Sequence, residues 1–542
     1  MTSKGQILKS ASVIAIVTAI SRICGYIRDQ RVALLLGTSP AADSFILVFS
    51  IPSMVRRMVA EGALSASFIP IFSGQLRNRP RAEAWAFAQK VFWDIALVLA
   101  MIAVLGAVFS RRVIYLFTMF GGNPAHWTLA VFLNRIVFPC VFLLGLAAVA
   151  AAILNSFHVF ALPASTSIFF NIAIITLSVG AVYRPVLQWA PERFRTPAVA
   201  LGAGVLLGAA MQFGMQVPSL VRRGMKFAPK ISFRDPDVRK FGSLMGPSLF
   251  SMGVYPINLL VDKLFATSWR MPAGSVTSLY VAERVVQLVL GSYAIAMATA
   301  LLPAMSHQFA AGNYAEMKRT FAFSLRVVSF IAIPAAVGLI LLRRPIIQVL
   351  FQHGEFVAGS TTLTARALLY YSLGLPAFAA IKLITPMYYS TQDTMTPARI
   401  GAWTLGLNIA LNTTFLLIFF RYLSNGSPAL ASTLAAYFNF AMLFVLFRRR
   451  YGRLGGRAIM WSGGKMAVCA AAMAAVSFGA LKISGFATAP HFLSQAWMLA
   501  AVILASTGVY FSVAWLLRCE ELSELLLLLR RAEPAAASTA VE

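Results

Sequence analysis

Apolar runs close to 20 residues long recur from one end of this chain to the other, and most connections between them are short. A helical run of that length, rising about 1.5 Å per residue, crosses a hydrocarbon layer of roughly 30 Å. Lipid offers the backbone no hydrogen-bond partner, so each run must satisfy its own N–H and C=O groups as a helix. The fold class expected is therefore an all-α polytopic membrane protein. Fourteen transmembrane helices are read at residues 9–36, 41–73, 84–110, 128–154, 161–183, 197–221, 238–268, 274–307, 318–342, 362–388, 397–420, 427–447, 461–484 and 493–517. Composition agrees. Only 12% of the 542 residues are Asp, Glu, Lys or Arg and 59% are hydrophobic, too little charge for the surface of a soluble chain this long.

The net charge of +28 would suggest nucleic acid on a soluble chain. Here no basic, aromatic-interleaved domain stands outside the apolar runs, so nucleic acid is not an expected partner. The cations instead follow the positive-inside rule and meet anionic headgroups of membrane lipids. The longest basic loop, residues 221–240, holds Arg222, Arg223, Lys226, Lys230, Arg234, Arg239 and Lys240. Loops 77–81 and 448–457 are also basic, whereas 37–42 and 484–495 have no Lys or Arg. This pattern places the N-terminus inside and, with fourteen spans, both termini in the cytoplasm. The outside loop with Arg184, Arg193 and Arg195 is a local exception. The apolar run from Ile7 lacks a small-residue cleavage site and continues into charged helix, so it reads as a retained first span.

Enzyme chemistry is not indicated. There is no G-x-S-x-G, H-E-x-x-H or phosphate-loop motif. His126, His158, His307, His353 and His491 are scattered. Cys24, Cys140, Cys469 and Cys519 form no C-x-x-C pair and read as small packing residues.

A faint repeat runs through the chain. Residues 68–73 (Phe-Ile-Pro-Ile-Phe-Ser) match 301–306 (Leu-Leu-Pro-Ala-Met-Ser). Residues 155–164 correspond to 389–398, and Arg135 to Arg366. The division expected is an N-terminal lobe of six spans, 1–225; a second six-span lobe, 226–450; spans 13 and 14 in 451–520; and a cytoplasmic tail, 521–542. Units with an even number of spans repeat in parallel, about an axis along the membrane normal. Transporters rock such halves about a central cavity. A purely structural duplication is the alternative.

Charge at membrane depth is costly, roughly 2.5–3.5 kcal/mol per group at the centre on insertion scales, and marks function. Span 1 carries Arg22, Arg28, Asp29 and Arg31; span 2 carries Asp43, Arg56, Arg57 and Glu61; span 8 carries Glu283 and Arg284. Arg57 and Glu61 are four apart and share a face, as an ion pair or a gate. Arg22 and Arg28 project about 120° apart on an ideal helix, and a bend at Gly25 would bring them together. Arginines in excess of acids suit an anion, and guanidinium forks match phosphate oxygens, so a pyrophosphate fits. Pro52 and Gly246-Pro247 are expected helix breaks, serving a substrate site or packing. Asp262 and Lys263 read as a buried pair. Asp262 with Asn408 and Asn412, which are four apart, offers oxygen ligands to a sodium ion; hydrogen bonding between helices is the alternative.

Several stretches resemble the MurJ (MviN) family of lipid II flippases, in the MOP exporter superfamily. They are Ser21-Arg-Ile-Cys-Gly-Tyr-Ile-Arg-Asp29, Ala42-Asp-Ser-Phe45, Ile51-Pro-Ser-Met-Val-Arg-Arg-Met-Val-Ala-Glu-Gly-Ala63 and Phe68-Ile-Pro70. Gly246-Pro247, Ala282-Glu-Arg284, Leu302-Pro303, Phe351-Gln-His-Gly-Glu-Phe356 and Gln392-Asp-Thr-Met-Thr-Pro397 extend the likeness over about the first 400 residues. The resemblance implies fourteen helices and a V-shaped central cavity. It implies export of lipid II, the undecaprenyl-pyrophosphoryl disaccharide-pentapeptide, to the periplasmic leaflet of the bacterial inner membrane for peptidoglycan synthesis. It assigns Arg22, Arg28, Arg56 and Arg284 to the pyrophosphate and headgroup, Asp29 and Glu61 to a gate, and Asp43 and Glu283 to functional acids. Glu283 stands where the family often has Asp, Gln287 where some members have Glu, and Asn412 where a sodium-binding member has Asp. Spans 13 and 14 would hold the polyprenyl tail. No cofactor is expected beyond the sodium ion, and the cell-wall synthesis machinery is the expected protein partner. The runner-up is another MOP-type exporter, such as an O-antigen or polysaccharide lipid flippase. A drug antiporter would favour cavity acids, and a membrane enzyme would need a catalytic acid in a sizeable outside loop.

Overall fold

The computed structural model describes residues 4–58, 64–118, 127–180, 191–192, 195–483 and 492–524, and every regular element among them is helical. The chain forms two compact units, Met1–Thr277 with His353–Ser360 and Ser278–Gln352 with Thr361–Glu542. The first holds α1 (Lys4–Leu36), α2 (Pro40–Met58), α3 (Leu64–Asn78), α4 (Arg81–Val108), α5 (Ser110–Phe117), α6 (Thr128–Val137), α7 (Cys140–Ser156), α8 (Ala161–Gly180), α9 (Pro197–Gly214), α10 (Val217–Arg222), α11 (Pro236–Ala266) and the opening turn of α12 (Ser275–Ala310). The second continues from α12 through α13 (Tyr314–Leu341), α14 (Arg343–Phe351), α15 (Ala358–Leu373), α16 (Leu375–Ser390), α17 (Met395–Leu417), α18 (Phe420–Leu423), α19 (Ser427–Tyr451), α20 (Gly456–Ile483) and α21 (Phe492–Leu516).

Among the described residues nine spans are long and apolar enough to cross a membrane, or ten when α15 and α16, bent by 46°, count as one. The other four spans expected from sequence fall on α1, α2 with α3, α11 and α12. These are the elements that carry Arg22, Arg28, Asp29, Asp43, Arg56, Asp262, Lys263, Glu283 and Arg284. At 33 and 36 residues, α1 and α12 extend about 50 Å and 54 Å, long enough to cross.

Local chemistry explains where helices stop. Asp235 accepts the Asp237 and Val238 N–H groups and, with Pro236 at the first position, starts α11. Gly452, at φ +89°, ends α19. The breaks expected at Pro52 and Gly246-Pro247 do not form, because α2 and α11 run through those positions. A proline removes only one backbone bond, which a packed membrane helix tolerates. At two junctions between helices, side chains from neighbouring helices satisfy the freed carbonyls. At the α4–α5 junction Asn134 Nδ2 donates to Gly106 O at 3.0 Å. At Gly374, between α15 and α16, Thr433 Oγ1 donates to Tyr370 O at 2.7 Å and the Tyr437 hydroxyl to Leu373 O at 2.9 Å.

Packing in the first unit rests on two devices. Aromatic rings of α3, α4 and the end of α7 interlock: Phe68–Phe72, Phe72–Phe157 and Trp85–Phe157 lie 5.1, 5.8 and 5.4 Å apart. Helix α9 approaches α8 closely through Gly204 and Gly208, four residues apart. A Cβ at Gly208 would lie 2.8 Å from Phe170 O. Leu97, Met101, Val104, Leu105 and Val108 leave an exposed apolar stripe along α4 that suits lipid. In the second unit α20 and α21 are fastened to α13. The Tyr510 hydroxyl donates to Phe330 O at 2.8 Å, and Arg326 pairs with Glu520 and Glu521.

Candidate functional site

Arg28, on α1, is only 7% exposed. Its guanidinium is held from three helices. Within α1, Nε and Nη2 donate to Asp29 Oδ1 at 3.0 and 2.7 Å. From α8, Asn171 Oδ1 accepts from Nη1 at 2.9 Å. From α2, the Phe49 ring lies 5.4 Å from the guanidinium carbon. Three residues on, Arg31 Nε donates to Ser178 Oγ at 3.3 Å. Rising numbers in α1 meet rising numbers in α8, so the two helices run parallel. Spans 1 and 5 of an alternating topology must do so.

The acids take distinct roles. Asp29 compensates Arg28, which lowers the cost of burying either charge. Asp43, at the start of α2, accepts from Gly274 N at 2.7 Å, Thr277 N at 2.8 Å and Thr277 Oγ1 at 2.8 Å. It therefore caps the first turn of α12 from a different helix. Arg22 lies exposed on α1 and Arg56 half-buried on α2. Glu61 lies outside the described residues.

In the second unit Arg284 lies over Tyr280, 5.0 Å from the ring centroid, and Nη2 donates to the Tyr280 hydroxyl at 3.1 Å. Nη1 donates to Gln287 Oε1 at 3.3 Å, and Gln287 Nε2 donates in turn to Glu283. Neutral Gln287 thus links the buried acid to the arginine.

Asp262 is buried in α11, and its neighbour Lys263 donates to Ser50 Oγ at 2.9 Å. In α17, Asn412 Nδ2 donates to Asn408 Oδ1 at 3.1 Å and Asn408 Nδ2 to Ser432 Oγ at 3.3 Å. Asn408 therefore ties α17 to α19, and Asn412 bonds back to Asn408 within α17.

The basic segment between α10 and α11 is folded onto α4. Ser232 N donates to Asp94 Oδ1 at 2.8 Å, Lys90 Nζ meets Asp235 Oδ2 at 2.5 Å, and Arg79 meets Asp237 at 2.7 Å. The Lys90 hydrogen bond holds the Asp235 carboxyl below its ordinary value, outweighing partial burial.

Sequence reasoning overlooked Asn171 and Tyr280. A lone amide in the apolar run 161–180 needs a partner, and that requirement was the available signal.

The family model for lipid II flippase MurJ matches residues 32–497. The probable lipid II flippase MurJ of Vibrio cholerae is 33% identical over 452 residues, covering 82% of this chain and 83% of its own. That of Rhizobium meliloti is 30% identical over 519 residues and 94% of both chains. Among solved structures, a lipid II flippase MurJ in an inward closed conformation aligns with a TM-score of 0.74 at 24% identity, over 92% of this chain and 98% of that one. An inward-facing multidrug resistance MATE transporter of the MOP superfamily aligns at 0.67 and 15% identity, over 81% and 98%. These two likenesses describe the fold.

Proposed function

The chain belongs to the lipid II flippase MurJ family, and from that premise we propose that it moves lipid II from the cytoplasmic to the periplasmic leaflet of the bacterial inner membrane. It is a transporter and not an enzyme. Alternating access is the mechanism proposed, with α1, α2–α3, α11 and α12 completing fourteen spans and both termini in the cytoplasm. The six-span lobes at 1–225 and 226–450, and the tail-holding role of spans 13 and 14, belong to the same proposal.

The observation that carries this reading is the buried, multiply held guanidinium of Arg28 on a helix that has to cross lipid. Without substrate, Asp29 compensates it. A pyrophosphate entering the site competes for the same N–H groups and brings more negative charge than one carboxylate. Binding is then an exchange of partners, in which the phosphates take the place of the Asp29 carboxylate on the Arg28 guanidinium. Release on the periplasmic side returns Arg28 to Asp29. Arg22, Arg56 and Arg284 add positive charge for the phosphates and headgroup, and Glu61 and Asp29 serve as gate acids. Membrane potential or a sodium gradient resets the carrier; one charge crossing 100 mV is worth about 2.3 kcal/mol.

Depletion with complementation tests the function. Lipid II should accumulate in the cytoplasmic leaflet without this protein, and the intact gene should clear it while Arg28→Ala fails. Clearance by a variant lacking Arg22, Arg28 and Arg284 together would refute the arginine mechanism.

A further inference from the structure

Asn171 is 5% exposed in an otherwise apolar stretch of α8, and both ends of its amide reach α1. Oδ1 accepts from Arg28 Nη1 at 2.9 Å, and Nδ2 donates to the Ser21 carbonyl at 3.3 Å. Ser21 and Arg28 are two helical turns apart, so one amide fixes the guanidinium and the turn of α1 that precedes it. Helix α9 packs closely behind α8: an added Cβ would fall 2.8 Å from Phe170 O at Gly208 and 3.0 Å from Ile174 Cα at Gly204.

We infer that Asn171 is a positioning residue that orients the Arg28 guanidinium for the substrate phosphates without neutralising it, a role that rests on the flippase reading above. Charge explains the choice of an amide. Asp29 already supplies one carboxylate to this guanidinium. A second would cancel the attraction for an anion, whereas a neutral carbonyl oxygen aims the fork and leaves its charge available. An apolar side chain would leave a buried N–H group without that acceptor.

The test is lipid II binding by the full-length protein in phospholipid nanodiscs, with melting temperature measured in parallel. Asn171→Ala should weaken binding about tenfold, the scale of one hydrogen bond to a charged group. Asn171→Asp should weaken it further, because the added carboxylate competes with phosphate. Arg28→Lys supplies the control, since lysine cannot present the fork. Adding Asn171→Ala to it should cost less than about twofold, because the two residues act as one unit. Unchanged affinity in both Asn171 variants would overturn the inference, as would a full tenfold loss on top of Arg28→Lys, which would mark an independent structural role. If the unaltered protein binds no lipid II, the flippase reading falls and takes this role with it. Binding by the unaltered protein with indifferent Asn171 variants would remove only the role of Asn171.

Discussion

Asp43 Oδ2 accepts the backbone N–H of Gly274 at 2.7 Å, so α12 is capped by a side chain 231 positions away. Ordinary caps come from the residue preceding the helix. Here that place is taken by Gly274, which has no side chain to offer, and a carboxylate of α2 replaces it. Asp43→Ala should leave three buried donors without their acceptor, a destabilisation on the order of 3 kcal/mol. A lower melting temperature in detergent, with Asp43→Asn intermediate, would bear this out. An unchanged melt would show that water or another acceptor replaces the carboxylate.

Gly274 and Gly25 should respond oppositely to alanine. Gly274 has φ +87°, and a Cβ there would lie 2.3 Å from Thr38 O, so both backbone and space forbid a side chain. At Gly25 a Cβ would meet only Asn171 Nδ2, at an ordinary 3.7 Å, within an uninterrupted helix. Gly274→Ala should sharply reduce the yield of folded protein, and Gly25→Ala should melt at or above the unaltered temperature. Size-exclusion profiles and melting curves of the two variants provide the check.

The segment between α10 and α11 should loosen in acid. Asp235 has a folded-state pKa below its ordinary 3.8, chiefly through its hydrogen bond to Lys90. Its contribution is therefore present above about pH 3.8 and lost as pH falls through the lower folded value. Lys90→Gln removes the cause. Protection factors across residues 226–235, which divide out the intrinsic slowing of amide exchange in acid, should fall more in the unaltered protein than in the variant as pH is lowered from about 5 through the folded-state value. Parallel slopes would contradict the assignment.

Much of this architecture is legible in the sequence because lipid permits so few backbone solutions. Run length and the backbone's need for internal partners dictate helices. The costly charges of spans 1, 2 and 8 also stand out against apolar neighbours. What stays hidden depends on partners distant in sequence. Nothing near Asp43 says that it caps α12, and nothing near Asn171 points to Arg28. The strap His353–Ser360 is another case: it leaves the second unit to pack against the end of α1, where Glu355 N donates to Leu34 O at 2.9 Å. Break positions likewise depend on distant partners. Pro52 and Pro247 draw attention, yet helices break where Asn134, Thr433 and Tyr437 can reach the released carbonyls.

The central claim is that the Arg28 guanidinium exchanges Asp29 for the phosphates of lipid II. Translocation of labelled lipid II in proteoliposomes tests it most directly. The comparison is the unaltered protein against Arg28→Ala combined with Asp29→Asn, which avoids leaving a buried carboxylate unpaired. The account predicts that the unaltered protein moves lipid II and that the double variant, although folded, is slower on the order of 10- to 100-fold. A folded double variant that moves lipid II at the unaltered rate would contradict it.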